Sequence, residues 1–318
     1  MAGNRQADVA CVYSGEGLAQ YGFPQGHPFG PDRFDAFWQE AQRQGLAQRV
    51  RVLAPVMAGR DLLGRFHETA YLDRVQSLSA QGTGFLDHGD TPVFPGVYEA
   101  AATVVGSVAD AVDRLMQGEC RRAFVPIAGL HHARPGAAAG FCVFNDVGVA
   151  IATLLAVYGL ERIAYVDVDA HHGDGVYYAF EADPRVWIAD IHQDGRTLYP
   201  GTGAAAETGL GEAMGTKRNL PQSPGADDTA FYAAWEEVEA HVARARPQFV
   251  LFQCGADSLG GDPLTTMGFT EEAHAHAAAR LRALADRFAD GRLLALGGGG
   301  YNRRHMAAAW CRVLAAIA

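Results

Sequence analysis

Residues 163–174 read IAYVDVDAHHGD: a run apolar on both faces, Ile163–Val168, that ends in a cluster of acids and imidazoles. A strand apolar on both faces belongs inside a parallel sheet, covered by helices above and below. Four further runs share this character, Ala123–Ile127, Val186–Ile191, Phe249–Phe252 and Leu293–Leu296. Between them, apolar residues return at steps of three and four: Val97, Ala101, Val104, Val108, Ala111 and Leu115; Phe231, Trp235, Val238 and Val242; Ala277, Leu281, Leu284 and Phe288; Met306, Trp310, Val313 and Ile317. That period predicts amphipathic helices lying on the sheet. The alternation predicts an α/β fold with a central parallel sheet between helical layers. The N-terminal third is less regular, with a helix expected from Asp32 to Gln44 and helical turns between Asp61 and Leu78. The glycine-rich stretch from Gly201 to Gly215 is expected to be a long loop.

The composition fits a globular chain and narrows its partners. The 318 residues are 49% apolar and 19% charged, and 26 Lys and Arg against 36 Asp and Glu give a net charge of −10. No basic run is long enough to track phosphates, so direct nucleic-acid binding is not expected. Apolar stretches are broken by charges well short of the ~20 residues that cross a bilayer, and MAGNRQADVA at the N-terminus carries no signal segment. No membrane partner is expected, and the location is expected to be cytoplasmic. Cys11, Cys120, Cys142, Cys254 and Cys311 are scattered without a C-x-x-C pair, the pattern of reduced, buried thiols. With neither linker nor shift in composition, residues 1–318 are read as one domain.

In an open parallel sheet, ligands bind beyond the carboxyl ends of the strands. The unusual residues all fall there. His131-His132 follows AFVPIA, Asp167, Asp169, His171 and Asp174 end or follow IAYVDVDA, Asp257 follows FVLFQCGA, and Tyr301 follows LLALGGGG. Asp167 and Asp169, two apart on an extended chain, share a face with His171. Asp169, His171 and a further oxygen from Asp257 form the donor set of a Zn²⁺-type site with one position for water. Amide hydrolysis also needs a proton taken and a proton given near pH 7, and the two adjacent histidines suit that work. Their far nitrogens would be steadied by Asp167 and Asp174, making two His–Asp dyads. Tyr301, approached through four glycines, is placed to donate to a developing oxyanion.

Several stretches together resemble a known family. HHARPGAAAGFCVFND from His131, DVDAHHGDG from Asp167, YPGTG from Tyr199, CGADSLGGDPL from Cys254 and LGGGGYN from Leu296 occur in the order of the zinc-dependent histone deacetylases. Their bacterial relatives include acetylpolyamine amidohydrolases. HPFGPDR from His27 resembles the family's opening. The resemblance implies the arginase/deacetylase fold, a three-layer arrangement with about eight parallel strands. It implies removal of an acetyl or other acyl group from acyl-lysine or a related amine. It also implies that His132 is general base and acid, that His131 assists, and that Asp169, His171 and Asp257 hold Zn²⁺, with Fe²⁺ as a second candidate. Gly140, Phe141 and Tyr199 would line a channel for the aliphatic arm, and Asp90 would grip a peptide at the rim. K⁺ or Na⁺ is often bound in this family through the DVDAH loop and a serine, but here Asp190 stands in the serine's place. Leu264 follows Asp262-Pro263, where the polyamine-directed branch of animals has an acid, which tilts the expectation towards acyl-lysine.

Rival readings remain at this point: an acetylpolyamine amidohydrolase, a binuclear ureohydrolase-like enzyme, and a silent acyl-lysine binding module. The second wants another acid two residues beyond Asp257, where Leu259 stands. Nucleotide binding fails on spacing, since GLGEAMGTK does not set Gly beside Lys as a P-loop does. The sequence leaves a homo-oligomer open. Of the other histidines, His241, His274, His276 and His305 are read as solvated on helices, His172 and His192 as support behind the site, and His88 as a rim residue. His27 and His67 are left unassigned.

Overall fold

A computed structural model describes residues 9–24 and 26–318; the first eight residues of the opening segment lie outside it. Eight strands form one sheet: β1 (Cys11–Tyr13), β2 (Arg51–Leu53), β3 (Arg122–Val125), β4 (Ile163–Asp167), β5 (Val186–Gln193), β6 (Lys217–Gln222), β7 (Phe249–Gln253) and β8 (Leu293–Leu296). Their order across the sheet is β2-β1-β3-β8-β7-β4-β5-β6, and every pairing is parallel. The last strand in the chain therefore sits between β3 and β7. β3, β4, β7 and β8 are buried at every position, as expected for strands covered on both faces. The edge strand β2 is short and exposes Arg51 and Val52, a charged edge that discourages further pairing.

The helices are α1 (Glu16–Ala19), α2 (Asp32–Arg43), α3 (Arg60–Leu63), α4 (Thr69–Gln81), α5 (Val97–Met116), α6 (Asp146–Ala156), α7 (Asp174–Phe180), α8 (Asp228–Ala245), α9 (Glu271–Phe288) and α10 (Arg303–Ile317). One layer runs α2–α10–α9–α8 and the other α4–α5–α6–α7, by their mutual contacts. The expected helices and five expected strands are present, with ends shifted by a few residues. Gly201–Gly215 is a loop apart from a short 3₁₀ turn, Gly211–Ala213. The five cysteines are buried and free. Among the described residues, no helix is long and apolar enough to cross a membrane.

Several helix starts are capped by side chains. Asn145 Oδ1 accepts from Gly148 N at 2.7 Å, Asp227 caps α8 and Thr270 caps α9, each meeting amides that the first turn leaves unpaired. The α6 start also shapes what precedes it. Asp146 accepts from Gly129 N (2.8 Å) and Leu130 N (2.7 Å), while Asn145 Nδ2 donates to Ala133 O at 2.8 Å. The turn carrying His131 and His132 is thus clamped on both sides.

Candidate active site

The strand ends of β3, β4, β7 and β8, adjacent in the sheet, bring the expected residues together. Asp169, His171 and Asp257 form a buried cluster whose donor atoms lie within 4.8 Å of one another. His171 Nδ1 is 3.1 Å from Asp169 Oδ1 and 3.1 Å from Asp257 Oδ2. Tetrahedral coordination with bonds of ~2.0–2.1 Å has edges of roughly 3.3 Å, close to these separations. The remaining carboxylate oxygens are occupied: Asp169 Oδ2 accepts from Gln253 Nε2 and Gly299 N, both at 2.9 Å, and Asp257 Oδ1 accepts from Ala170 N at 2.8 Å. Each acid therefore turns one oxygen inward and has the other held from behind.

The electrostatics of the cluster favour a cation. Burial opposes the charge on His171, yet Asp257 and Asp169 push its pKa up to about 10. Burial, then the Asp169 charge, raises Asp257 to about 7. Two buried carboxylates flanking one imidazole draw positive charge between them, and a divalent ion bonded to all three meets that demand. The residues fit the metal.

Both His–Asp dyads form. His131 Nδ1 lies 2.8 Å from Asp167 Oδ2 and His132 Nδ1 lies 2.7 Å from Asp174 Oδ1. The two Nε2 atoms face each other at 3.2 Å. Burial disfavours the charged form of His131, but Asp167 and Asp169 outweigh it and push its pKa up to about 10. For His132, burial and then the charge on His131 win over Asp174, and its pKa falls to about 4. Asp174 is held near about 2 against burial by His132 and Arg134. The two imidazoles are thus pushed in opposite directions, His131 towards its charged form and His132 towards the free base. Arg134, whose guanidinium is 3.0 Å from Asp174 Oδ2, and Tyr165, whose hydroxyl donates to Asp167, were not singled out by the sequence.

Tyr301 lines a cavity of about 20 Å³ together with Phe29, Gly140, His132, Asp169 and His171. Its amide donates to Asp262 Oδ2 at 2.8 Å, and burial raises its hydroxyl pKa well above the usual phenol value. Arg33, fully buried, donates to Gly298 O (2.6 Å) and Gly300 O (2.9 Å) and pins the glycine approach. Gly140 has φ +51°, and a Cβ there would lie 2.5 Å from His132 Cδ2. Tyr199 sits over the same imidazole, ring centroids 5.1 Å apart, and Phe141 meets Tyr301 edge-on at 5.9 Å. Phe141 adopts φ +67°, held by Tyr21, whose hydroxyl donates to Phe141 O at 2.7 Å. Asp90 is exposed, with its carbonyl oxygen 3.2 Å from His27 Nε2, and Leu264 is 37% exposed; neither lines the small cavity.

The solvated reading of four histidines is corrected. His241 and His274 are buried, and His276 and His305 are half-buried. His274 Nε2 is 2.8 Å from Gly255 O and His305 Nδ1 is 2.9 Å from Gly260 O, so both brace the loop that carries Asp257. His172 and His192 do pack behind the site, at Thr202 Oγ1 (2.8 Å) and Asp190 Oδ1 (2.7 Å).

Comparison with known proteins finds relatives that match most of the chain. Residues 27–317 match the model of the Histone deacetylase domain. The chain is 34% identical over 315 residues to the Acetoin utilization protein AcuC of Bacillus subtilis (strain 168), covering 96% of this chain and 81% of that one. It is 35% identical over 310 residues to Histone deacetylase 19 of Arabidopsis thaliana, covering 95% of this chain but 60% of the plant protein. Among solved structures, the HDA15 HD domain superposes with a TM-score of 0.90 at 27% identity, over 97% of this chain and 88% of that one.

Proposed function

Because the chain belongs to the histone deacetylase family, and is on that ground a metal-dependent deacetylase of acyl-lysine or related amides, we propose how its own residues divide the work. Asp169 Oδ1, His171 Nδ1 and Asp257 Oδ2 would hold Zn²⁺, or Fe²⁺ in the cell; the family norm is zinc. When bound, such an ion acidifies a water molecule and polarises the acyl carbonyl. His132, neutral at pH 7 and steadied at Nδ1 by Asp174, takes the water's proton at Nε2 and later returns it to the leaving amine. His131, drawn towards its charged form by Asp167, supports the anionic intermediate from beside the base, its Nε2 3.2 Å from that of His132. Tyr301 keeps its proton and donates a hydrogen bond to the oxyanion. Gly140 gives the substrate arm room beside His132, Phe141 and Tyr199 wall it, and Asp90 and Leu264 meet the substrate at the rim.

The observation that carries this reading is the pair of His–Asp dyads, with their Nε2 atoms 3.2 Å apart, set against the Asp–His–Asp cluster. An acyl-lysine substrate is favoured over an acetylpolyamine because Leu264 offers no charge to a polyamine. Five buried free cysteines support a reducing, cytoplasmic setting. For a monovalent ion the donor set differs from the one the resemblance implies. Asp190 replaces a hydroxyl, and its two oxygens are bonded to His192 Nδ1 and Gly173 N at 2.7 and 3.0 Å. No step is assigned to K⁺ or Na⁺. The test is turnover of acetyl-lysine peptides, acetylpolyamines and longer acyl-lysines by chelated and Zn²⁺-reconstituted protein. Turnover of no acyl amide after reconstitution overturns the reading.

A further inference from the structure

The rim loop that carries Asp90 is built around one carboxylate. Leu86 N bonds Thr91 O and Val93 N bonds Gly84 O, both at 2.9 Å, and these close the loop. Inside it, Asp87 Oδ1 accepts from Gly89 N (3.0 Å), Asp90 N (2.9 Å) and Thr91 N (2.8 Å). The fully buried Thr91 gives its hydroxyl proton to Asp87 Oδ2 at 2.5 Å, which leaves its lone pairs free for another donor. That donor is Phe141 N, at 3.2 Å and 50 residues further along the chain. Burial opposes the charge on Asp87, but the Thr91 hydroxyl and the three amides outweigh it and hold its pKa below the usual carboxylate value.

Phe141 is a residue that needs holding. At φ +67° it occupies the left-handed region, which bulky side chains rarely adopt. Its amide is tied to Thr91 and its carbonyl accepts from the Tyr21 hydroxyl at 2.7 Å, so the peptide groups on both sides are fixed. His27 spans the same gap, with Nε2 3.2 Å from Asp90 O and its ring 4.6 Å from the Phe141 ring. Rim and wall are therefore one bonded unit, although they come from distant parts of the chain. We propose that Asp87 is a positioning residue for substrate capture: it sets Asp90 through the loop amides and Phe141 through the Thr91 hydroxyl, so that the grip on the peptide and the wall for the acylated arm are presented together. Presenting both in advance spares the substrate the cost of ordering them. The inference rests on the channel reading above, in which Asp90 meets the substrate and Phe141 walls its arm. Asp87 itself does not line the cavity.

Three variants of the full chain test it. Asp87→Ala removes the carboxylate, Thr91→Val keeps the shape but removes the hydroxyl, and Thr91→Ser restores a hydroxyl. Deuterium uptake around Phe141 is followed by mass spectrometry, and kcat and KM are measured on an acetyl-lysine peptide with Zn²⁺-reconstituted protein. In Asp87→Ala and Thr91→Val, Phe141 should exchange about tenfold faster. KM should rise roughly tenfold with kcat kept within about threefold, the pattern of binding lost equally from ground and transition states. Thr91→Ser should match the native chain in both measurements. Native exchange or native KM in either of the first two variants overturns the proposal, as does a Thr91→Ser that behaves like Thr91→Val. It is equally overturned if kcat falls while KM holds, or if protection is lost across the whole chain, since either outcome marks a merely structural role. Exchange needs no turnover: a native chain that hydrolyses no acyl amide sinks the catalytic reading, and exchange at Phe141 then decides the bridge by itself.

Discussion

Gln253 Nε2 holds Asp169 Oδ2 at 2.9 Å, and so decides which oxygen of Asp169 faces His171. Replacing Gln253 by Leu keeps the volume and removes one of that oxygen's two donors, leaving Gly299 N. Apparent Zn²⁺ affinity should fall by about 10–100-fold, the usual effect of losing a partner behind a ligand. Competition against a chromophoric chelator measures it, and native affinity in Gln253→Leu refutes the role.

The two imidazoles should separate in a pH profile. The charge on His131 depresses the pKa of His132, so removing it raises that pKa. In His131→Asn, which keeps an N–H for Asp167, the acidic limb of kcat/KM should move to higher pH. His132→Ala should lose turnover by roughly two to four orders of magnitude.

Tyr301→Phe should lower kcat by about 10²–10³ and leave metal binding unchanged, because the hydroxyl acts on the oxyanion and on none of the three ligands. Single-turnover rates and chelator competition on the same preparation decide it. A variant that keeps kcat removes Tyr301 from the reaction.

Gly299 has no room for a side chain. A Cβ there would lie 2.1 Å from Asp257 Oδ2 and 2.9 Å from Asp169 Oδ2. Gly299→Ala should therefore push two of the three ligands apart and abolish Zn²⁺ binding, read by metal content after dialysis. Gly26→Ala, at a positive φ but with open space around it, should bind Zn²⁺ normally.

Acid should destabilise the fold through two histidines outside the site. Burial lowers both His67 and His241 to about 4. His67 Nε2 accepts from Asn145 N at 2.9 Å, and His241 Nδ1 accepts from Arg244 at 3.0 Å, so neither can take a proton without breaking a bond. Between the unfolded pKa of ~6.5 and about 4 the unfolded chain binds more protons, and stability rises with pH across that window. Melting temperature should fall as pH drops from 6.5 towards 4, and His67→Asn should flatten part of that slope.

The sequence was most legible where side chains alone report burial. β3, β4, β7 and β8 are apolar at nearly every position, and the chemistry-bearing residues follow directly after them. β6 went unread because KRNLPQ looks polar; its lysine turns inward only because carbonyls await it. β2 went unread because a three-residue edge strand has no pattern of its own. α6, DVGVAIATLLA, is apolar all round and so shows no amphipathic period. Among site residues, Gln253, Arg134, Tyr165 and Arg33 were invisible, since each acts by touching a distant segment that no local spacing reveals. His241 and His274 were misread for the same reason: their helix faces are covered by other parts of the chain, not by water.

The place of β8 between β3 and β7 has a consequence for biosynthesis. Until Leu293–Leu296 leaves the ribosome, the nascent polypeptide can pair its strands only as two separate flanks, one ending in His131-His132 and the other bearing Asp169, His171 and Asp257. The acid–base groups and the ion's ligands are then unjoined, and Tyr301 emerges just behind the strand that unites them. Competence towards amides is therefore expected only once β8 has inserted between β3 and β7.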